Sequence, residues 1–197
     1  MPKIADAADP TPESTDSAKL AEPADAVPPA PRWAVHLAHA ITLISLPTCV
    51  WRLMLAAGHQ GGYTDEGYEA LGMDLFGRTW VVILSVGSEL LALAALYLIS
   101  ERPVRLPTWL PRLGGRTLTP RTVIRLGWTV AIAMTVLGGQ FAFWWVVPQD
   151  DMTETGSLWV GLAYQPLVIW GPAMAALTHS YKLRHTANSA AVSSVVA

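Results

Sequence analysis

The chain has 197 residues, of which 52% are hydrophobic and only 14% are charged, and nine of them are Trp. Because ordinary soluble domains carry roughly 25% charged residues, this composition excludes a typical water-soluble globule. The net charge of −2 provides no basic surface for nucleic acid, and the single cysteine excludes a disulfide framework and a cysteine zinc site. The composition therefore indicates an integral membrane protein.

The two ends of the chain differ in composition from its middle. Residues 1–32 are acidic and rich in Pro and Ala, with no apolar run, and they predict a disordered tail. Residues 182–197 are mostly small and polar, and they predict a short flexible tail. The folded domain is expected to occupy residues 33–181.

Four apolar stretches reach the length of about 20 residues that a helix needs to cross a membrane. In chain order they are 33–55 (span 1), 79–100 (span 2), 122–147 (span 3) and 157–179 (span 4). The fold expected from them is all-α, a bundle of four transmembrane helices. No internal repeat is evident in the sequence.

The distribution of charge predicts how the spans are oriented. Residues 101–125, between spans 2 and 3, contain six Arg against one Glu, whereas the loops after spans 1 and 3 are mainly acidic. Because positively charged loops tend to stay in the cytoplasm, this middle segment and both termini are predicted to be cytoplasmic. The excess of Arg over Lys, with abundant Ala and Pro, favours a bacterial origin and hence the bacterial plasma membrane.

Glu89 is the only formally charged residue in span 2. The eleven Val, Ile and Leu residues of that span favour insertion by roughly 3–7 kcal/mol, which exceeds the cost of about 2.5–3.5 kcal/mol for one central charge. Burial in hydrocarbon favours the neutral acid. Two interpretations stay open: Glu89 binds a proton, a cation or a ligand, or it is a structural group that bonds to Ser45 or Thr42 on span 1.

Three histidines are predicted to lie at a similar depth near the cytoplasmic ends of their spans. His36 and His39 are spaced to share one face of span 1, and His179 ends span 4. Three imidazoles at one level suit a metal, a haem or a quinone pocket, although separate hydrogen-bonded histidines are the commoner arrangement. No metal site is assigned from the sequence.

The remaining polar candidates lie toward the outer ends of the spans. Gln140 and Gln165 are at a similar depth and are expected to pair across spans 3 and 4, or else to line a polar cavity. Trp170 lies deeper in span 4, beside a Gly-Pro pair, and is a candidate cavity-lining residue. Arg52 follows Trp51 at the outer boundary and is expected to extend to the surface or to pair with an acid of the outer loops.

The segment from Leu46 to Leu53 reads Leu-Pro-Thr-Cys-Val-Trp-Arg-Leu and is followed by Gly58 and an acidic loop. In these features the chain resembles small four-span membrane proteins of actinobacteria that carry no assigned activity. The resemblance implies the fold and assigns no functional residue.

Three functions are consistent with these features. The first is a non-catalytic accessory or interaction subunit without a cofactor, whose partners are the lipid bilayer and other membrane-protein subunits. The alternative is a small transport or ligand-binding protein that uses Glu89. The third is a redox protein that holds haem or quinone through His36, His39 and His179.

Overall fold

The computed structural model describes residues 27–105, 108 and 114–196. Its regular elements in these ranges are helices, and isolated bridges join Tyr63 to Met152 and Arg105 to Thr117. The helices are Arg32–Ala56, Asp65–Ala70, Leu75–Tyr97, Pro120–Gly139, a 3₁₀-helix at Gln140–Phe143, Glu154–Tyr164, a 3₁₀-helix at Gln165–Ile169, and Trp170–Val196.

Four stretches of helix are long and apolar enough to cross a membrane, as the sequence predicts. They are Arg32–Ala56 (span 1), Leu75–Tyr97 (span 2), Pro120–Phe143 (span 3) and Glu154–Ala187 (span 4). Leu98 at the end of span 2, Pro28 ahead of span 1 and Arg184 of span 4 lie together at one end of the spans, which we call the terminal end. The loops 57–74 and 144–153 lie at the opposite end, which we call the clasp end.

Capping side chains set the starts of spans 2, 3 and 4. Asp74, Thr119 and Thr153 each precede a span, and each side chain accepts a hydrogen bond from the backbone N–H three residues later. Such caps satisfy donors that have no partner within the helix. Span 2 therefore occupies Leu75–Tyr97 instead of 79–100, and span 3 begins at Pro120 instead of 122.

Spans 3 and 4 are not α-helical throughout. Span 3 changes to 3₁₀ geometry at Gln140–Phe143 and ends there, before the predicted limit of 147. Span 4 changes to 3₁₀ geometry at Gln165–Ile169 and then continues as an α-helix from Trp170. Pro166, which has no backbone N–H to donate, accounts for the change in span 4. The two 3₁₀ segments contact each other, so the backbones of spans 3 and 4 approach closely near the clasp end.

The C-terminal segment differs from the flexible tail that the sequence predicts. Residues 182–197 were predicted to form a flexible tail, but the helix of span 4 continues to Val196. The residues after 182 include neither Gly nor Pro and several Ala, so nothing in the sequence ends the helix. Of the predicted disordered tail 1–32, residues 1–26 lie outside the described residues.

Neighbouring spans form the main contacts. Span 1 packs along span 2, span 3 packs along span 4, and spans 1 and 4 join the two pairs. The first pair meets through small buried side chains such as Ala38, Ala92 and Ala95, and the second meets where Gly127 and Gly171 lie against threonines. Small residues allow the close approach on which helix association in lipid depends. In the part of the chain that the structure describes, spans 2 and 3 have no comparable contact.

The two loops of the clasp end hold each other through a pair of matching interactions. Thr64 donates from its backbone N–H (3.0 Å) and its hydroxyl (3.1 Å) to the carbonyl of Asp151. Thr153 donates from its backbone N–H (2.9 Å) and its hydroxyl (3.1 Å) to the carbonyl of Gly62. We call these four hydrogen bonds the clasp. Tyr63 lies between Gly62 and Thr64, within the clasp. Burial and the nearby Asp151 carboxylate raise the pKa of its phenol.

The clasp reveals a short repeat that sequence reading missed. Thr64-Asp65-Glu66-Gly67 and Thr153-Glu154-Thr155-Gly156 share the pattern Thr-acid-x-Gly. In both copies the Thr caps a helix, and the glycine lies so close to the opposite loop that a Cβ atom would collide with its backbone. The repeat was not recognised because only four residues carry it and the flanking sequences differ.

Arg184 joins three parts of the chain at the terminal end. Its guanidinium donates to the carbonyl of Leu98, at the end of span 2, and to the carbonyl of Pro28 (3.2 Å), ahead of span 1. It also lies 5.7 Å from the centre of the Tyr181 ring. Only 8% of Arg184 is exposed, so this cation replaces its water contacts with backbone oxygens and an aromatic face.

The glycines of the clasp provide a test of its contribution to stability. Gly156→Ala should lower the free energy of unfolding by about 1–3 kcal/mol, because the added methyl group collides with the backbone of Gly62. Gly87→Ala in span 2 is the control, since a Cβ there meets nothing within 4 Å. It should leave stability unchanged or raise it by up to about 1 kcal/mol. Denaturation in mixed micelles, followed by circular dichroism, measures both; equal effects would contradict the role of the clasp.

Candidate functional site

A strip of polar side chains runs along the contact between spans 1 and 2, inside an otherwise apolar interface. We call it the polar seam. Its members are spaced three and four residues apart on span 1 and lie within two helical turns on span 2, so each set shares one face of its helix. The polar seam consists of Ser45, Cys49 and Arg52 on span 1 and Ser85, Ser88 and Glu89 on span 2.

Glu89 points toward span 1. Its Oε2 accepts a hydrogen bond of 3.1 Å from the hydroxyl of Ser45, which is fully buried. This confirms Ser45 as the partner on span 1, whereas Thr42 donates to the carbonyl of Ala38 in its own helix (3.1 Å). The thiol of Cys49 lies beside the Glu89 carboxylate and the Ser85 hydroxyl. Among the described residues, Ser45 is the side chain that donates to Glu89, whereas the Ser85 hydroxyl donates to the carbonyl of Val81 in its own helix (2.8 Å).

Arg52 reaches along the same interface. Its Nη2 donates to the hydroxyl of Ser88 at 2.8 Å. The expected pairing of Arg52 with an acid of the outer loops is wrong. The side chain is long enough to reach the hydroxyl one residue before Glu89, so it bonds within the interface of spans 1 and 2.

One acceptor and one donor of the polar seam have no partner in the described part of the chain. Oε1 of Glu89 and Nε of Arg52 are both buried and unbonded. A buried polar atom without a hydrogen bond costs about 1–3 kcal/mol, and more when the group is charged. Each of the two atoms therefore has room for one further hydrogen bond, the carboxyl oxygen as an acceptor and the guanidinium nitrogen as a donor.

An aromatic cluster covers the seam on the side of the clasp. The Trp51 ring packs edge-on against Tyr164, with ring centres 5.5 Å apart, and Phe141 lies 4.7 Å from the same tyrosine. The indole N–H of Trp51 donates to the carbonyl of Gly61 (2.7 Å) and so ties the cluster to the loop of the clasp. These rings separate the polar seam from the loops at the clasp end.

The structure separates the two glutamines that were expected to pair. Gln165 accepts a hydrogen bond from the indole N–H of Trp145 (2.8 Å), while the side chain of Gln140 is exposed. The 3₁₀ geometry of both segments turns the side chains away from the directions expected for α-helices. Trp170 is buried in the core, only 4% exposed, and its indole N–H has no described partner. An apolar cleft lies between spans 2 and 3, and Trp170 is not among the residues that line it.

The three histidines do not form a common site. His36, His39 and His179 are all exposed on the outsides of their helices, and His39 Nδ1 lies 2.7 Å from the carbonyl of Val35 in its own helix. Within the described residues there is no group of three side chains arranged to hold a metal ion. A redox centre built from these histidines therefore has no support in their geometry.

Sequence reading identified Glu89, Ser45 and Arg52, but it did not assign Cys49, Ser85 or Ser88 to the same site. A signal for them exists in the helical spacing of polar residues at 45, 49 and 52 and at 85, 88 and 89. Which faces meet depends on the rotation of the two helices, and this becomes visible only in the folded structure.

We compared the chain with protein-family models, with curated proteins and with solved structures, and found no match. The polar seam is therefore interpreted from its own geometry and chemistry.

The hydrogen bond between Ser45 and Glu89 can be measured with a double-mutant cycle. Ser45→Ala and Glu89→Ala should show a coupling of about 0.6 kcal/mol in the free energy of unfolding, and less than about 2 kcal/mol, as interhelical polar contacts in membranes do. Thr42→Ala serves as the control and should be additive with Glu89→Ala, because its hydroxyl bonds within its own helix. A cycle in which Thr42, and not Ser45, couples to Glu89 would contradict the observed geometry.

Proposed function

We propose that this chain is a multi-pass protein of the bacterial cell membrane that binds a proton or a small polar ligand at Glu89, as a small transport or ligand-binding protein does. The observation that carries the proposal is the buried Oε1 of Glu89, which has no described partner and faces a second helix that also bears a buried, unpaired donor on Arg52. An ionisable residue within a span is expensive to insert and marks functional sites by preference.

The surroundings of Glu89 suit the binding of a small polar group. The hydroxyl of Ser45 already donates to Oε2, and a hydroxyl can also accept a hydrogen bond. Oε1 of the same carboxyl group is buried and has no described partner, so it is the position at which a proton or a ligand donor would bind.

We further propose that the terminal end faces the cytoplasm. Arg102, Arg105, Arg121 and Arg125 lie in or beside the segment between spans 2 and 3, and Arg184 lies near the end of span 4. The loops of the clasp end carry mainly acids. The positive-inside rule favours this orientation, which places both termini in the cytoplasm.

The orientation can be tested by labelling introduced cysteines. In a Cys49→Ala background, Glu66→Cys in the clasp-end loop should react with an impermeant thiol reagent added to intact cells, because Glu66 is exposed. Thr117→Cys, exposed at the terminal end, should react only after the membrane is permeabilised. Labelling of Thr117→Cys from outside intact cells would contradict the proposed orientation.

The role of Glu89 can be tested in proteoliposomes that contain a pH-sensitive dye. Under an imposed pH gradient, the full chain should equilibrate protons faster than protein-free vesicles, and Glu89→Gln should abolish the difference. Because glutamine keeps the shape of the side chain, the free energy of unfolding should change by about 1 kcal/mol or less. Glu101→Gln, at the exposed terminal end, is the control and should retain the flux.

Two further outcomes of this experiment are informative. If Glu89→Leu stabilises the protein and abolishes flux, the acid lowers the stability of the wild-type fold. Residues at functional sites often have this effect, so the result supports a functional role. If the wild-type protein adds no proton flux and binds no ligand that depends on Glu89, the proposal is overturned.

A specific observation favours a non-catalytic accessory or interaction subunit as the second candidate. Gln140 is exposed on the outside of span 3, within the apolar stretch Pro120–Phe143. A polar side chain that faces hydrocarbon gains from a hydrogen bond to a neighbouring helix, so Gln140 suits contact with another membrane subunit. Under this candidate, Glu89 is a structural partner of Ser45 and the proteoliposomes show no flux.

A further inference from the structure

An apolar cleft lies between spans 2 and 3 in their halves nearest the terminal end. Its volume is about 420 Å³. Leu90, Leu93 and Tyr97 line it from span 2, and Val123 and Val130 line it from span 3. The cleft exists because each of these spans packs on its own sequence neighbour and not on the other.

The shape of the cleft decides what class of group it takes. The lining residues extend over about two helical turns of each span, from Leu90 to Tyr97 and from Val123 to Val130. A helix is about 10–12 Å across, whereas a flexible hydrocarbon chain is much thinner and fits along the length of this apolar cleft.

A cation marks one end of the cleft. Arg105, on the segment that follows span 2, is part of the lining, and its side chain is exposed. The backbone around it is fixed, because Arg105 forms an isolated bridge with Thr117 and the carbonyl of Val104 accepts from the N–H of Leu118 (2.8 Å). The position of Arg105 is thus fixed by its backbone where the apolar cleft ends, and its exposed guanidinium is available there. A guanidinium binds phosphate through two parallel hydrogen bonds.

We propose that this cleft binds one anionic phospholipid, with an acyl chain along the cleft and the phosphate group at Arg105. Basic pockets between transmembrane helices on the cytoplasmic side are known to take anionic headgroups. The Tyr97 ring lies at the level where an apolar ring with a polar hydroxyl suits the headgroup boundary. The proposal is independent of the polar seam, because the seam lies between spans 1 and 2 and the cleft between spans 2 and 3.

Native mass spectrometry of the full chain in detergent tests the proposal, with phosphatidylglycerol and phosphatidylcholine of identical acyl chains as probes. The wild-type protein should retain one phosphatidylglycerol with at least tenfold higher affinity than phosphatidylcholine. Arg105→Gln should reduce the affinity for phosphatidylglycerol to that for phosphatidylcholine. Arg102→Gln is the matched control, because Arg102 is exposed on the same segment and does not line the cleft, and it should keep the preference.

A second pair of variants tests the position of the acyl chain. Ala94→Trp places a large ring in the cleft and should abolish retention of both lipids. Val136→Trp puts the same ring on the exposed outside of span 3, away from the cleft, and should change neither affinity. If Ala94→Trp fails to fold, the comparison of Arg105→Gln with Arg102→Gln still decides the question.

Three results would overturn the proposal. The first is equal affinity of the wild-type protein for the two lipids. The second is an equal loss of affinity in Arg105→Gln and Arg102→Gln. The third is obtained with Leu93→Cys in a Cys49→Ser background. If the new cysteine forms a covalent link to another polypeptide in native membranes, a partner helix and not a lipid occupies the cleft.

Discussion

The four hydrogen bonds of the clasp connect the two halves of the molecule. Thr64 and Thr153 each use a backbone N–H and a hydroxyl to reach a carbonyl in the opposite loop, and each caps the helix that follows it. These bonds bring the clasp ends of spans 1 and 4 together and support the aromatic cluster around Tyr164. Within the described residues, spans 2 and 3 do not pack along each other, and the cleft between them is the geometric result.

Span 2 separates two kinds of chemistry. Glu89 faces span 1, where hydroxyl, thiol and guanidinium groups surround it, whereas Leu90 and Leu93 face the cleft toward span 3. Adjacent residues on a helix point about 100° apart, so one short stretch serves both surfaces without conflict. A change in the rotation of span 2 about its own axis would alter the polar seam and the cleft together.

Much of the architecture was predictable because it follows from hydropathy. The four spans needed only the length of apolar stretches, and the cost of leaving an acid unpaired in hydrocarbon limited the partners of Glu89 on span 1 to Ser45 or Thr42. The structure selects Ser45. The pairing of Gln165 with Trp145, the exposure of the three histidines and the reach of Arg52 to Ser88 were not predictable, because each depends on helix rotation or on a local 3₁₀ turn. The clasp was missed because its two copies are short and far apart in the chain, and its bonds use mostly backbone groups.

The pairing of consecutive spans has a consequence for membrane insertion. Span 1 carries Ser45 and Arg52, and it is synthesised before Glu89 and Ser88, the groups of span 2 that they contact. As span 2 leaves the ribosome, these groups meet their partners within the same helical hairpin, so the first two spans together have fewer unpaired polar groups than either has alone. The second hairpin joins them only after Thr153 has been translated, because the clasp needs both loops. The order of the chain is therefore also an order of assembly in which the most polar surface is covered first.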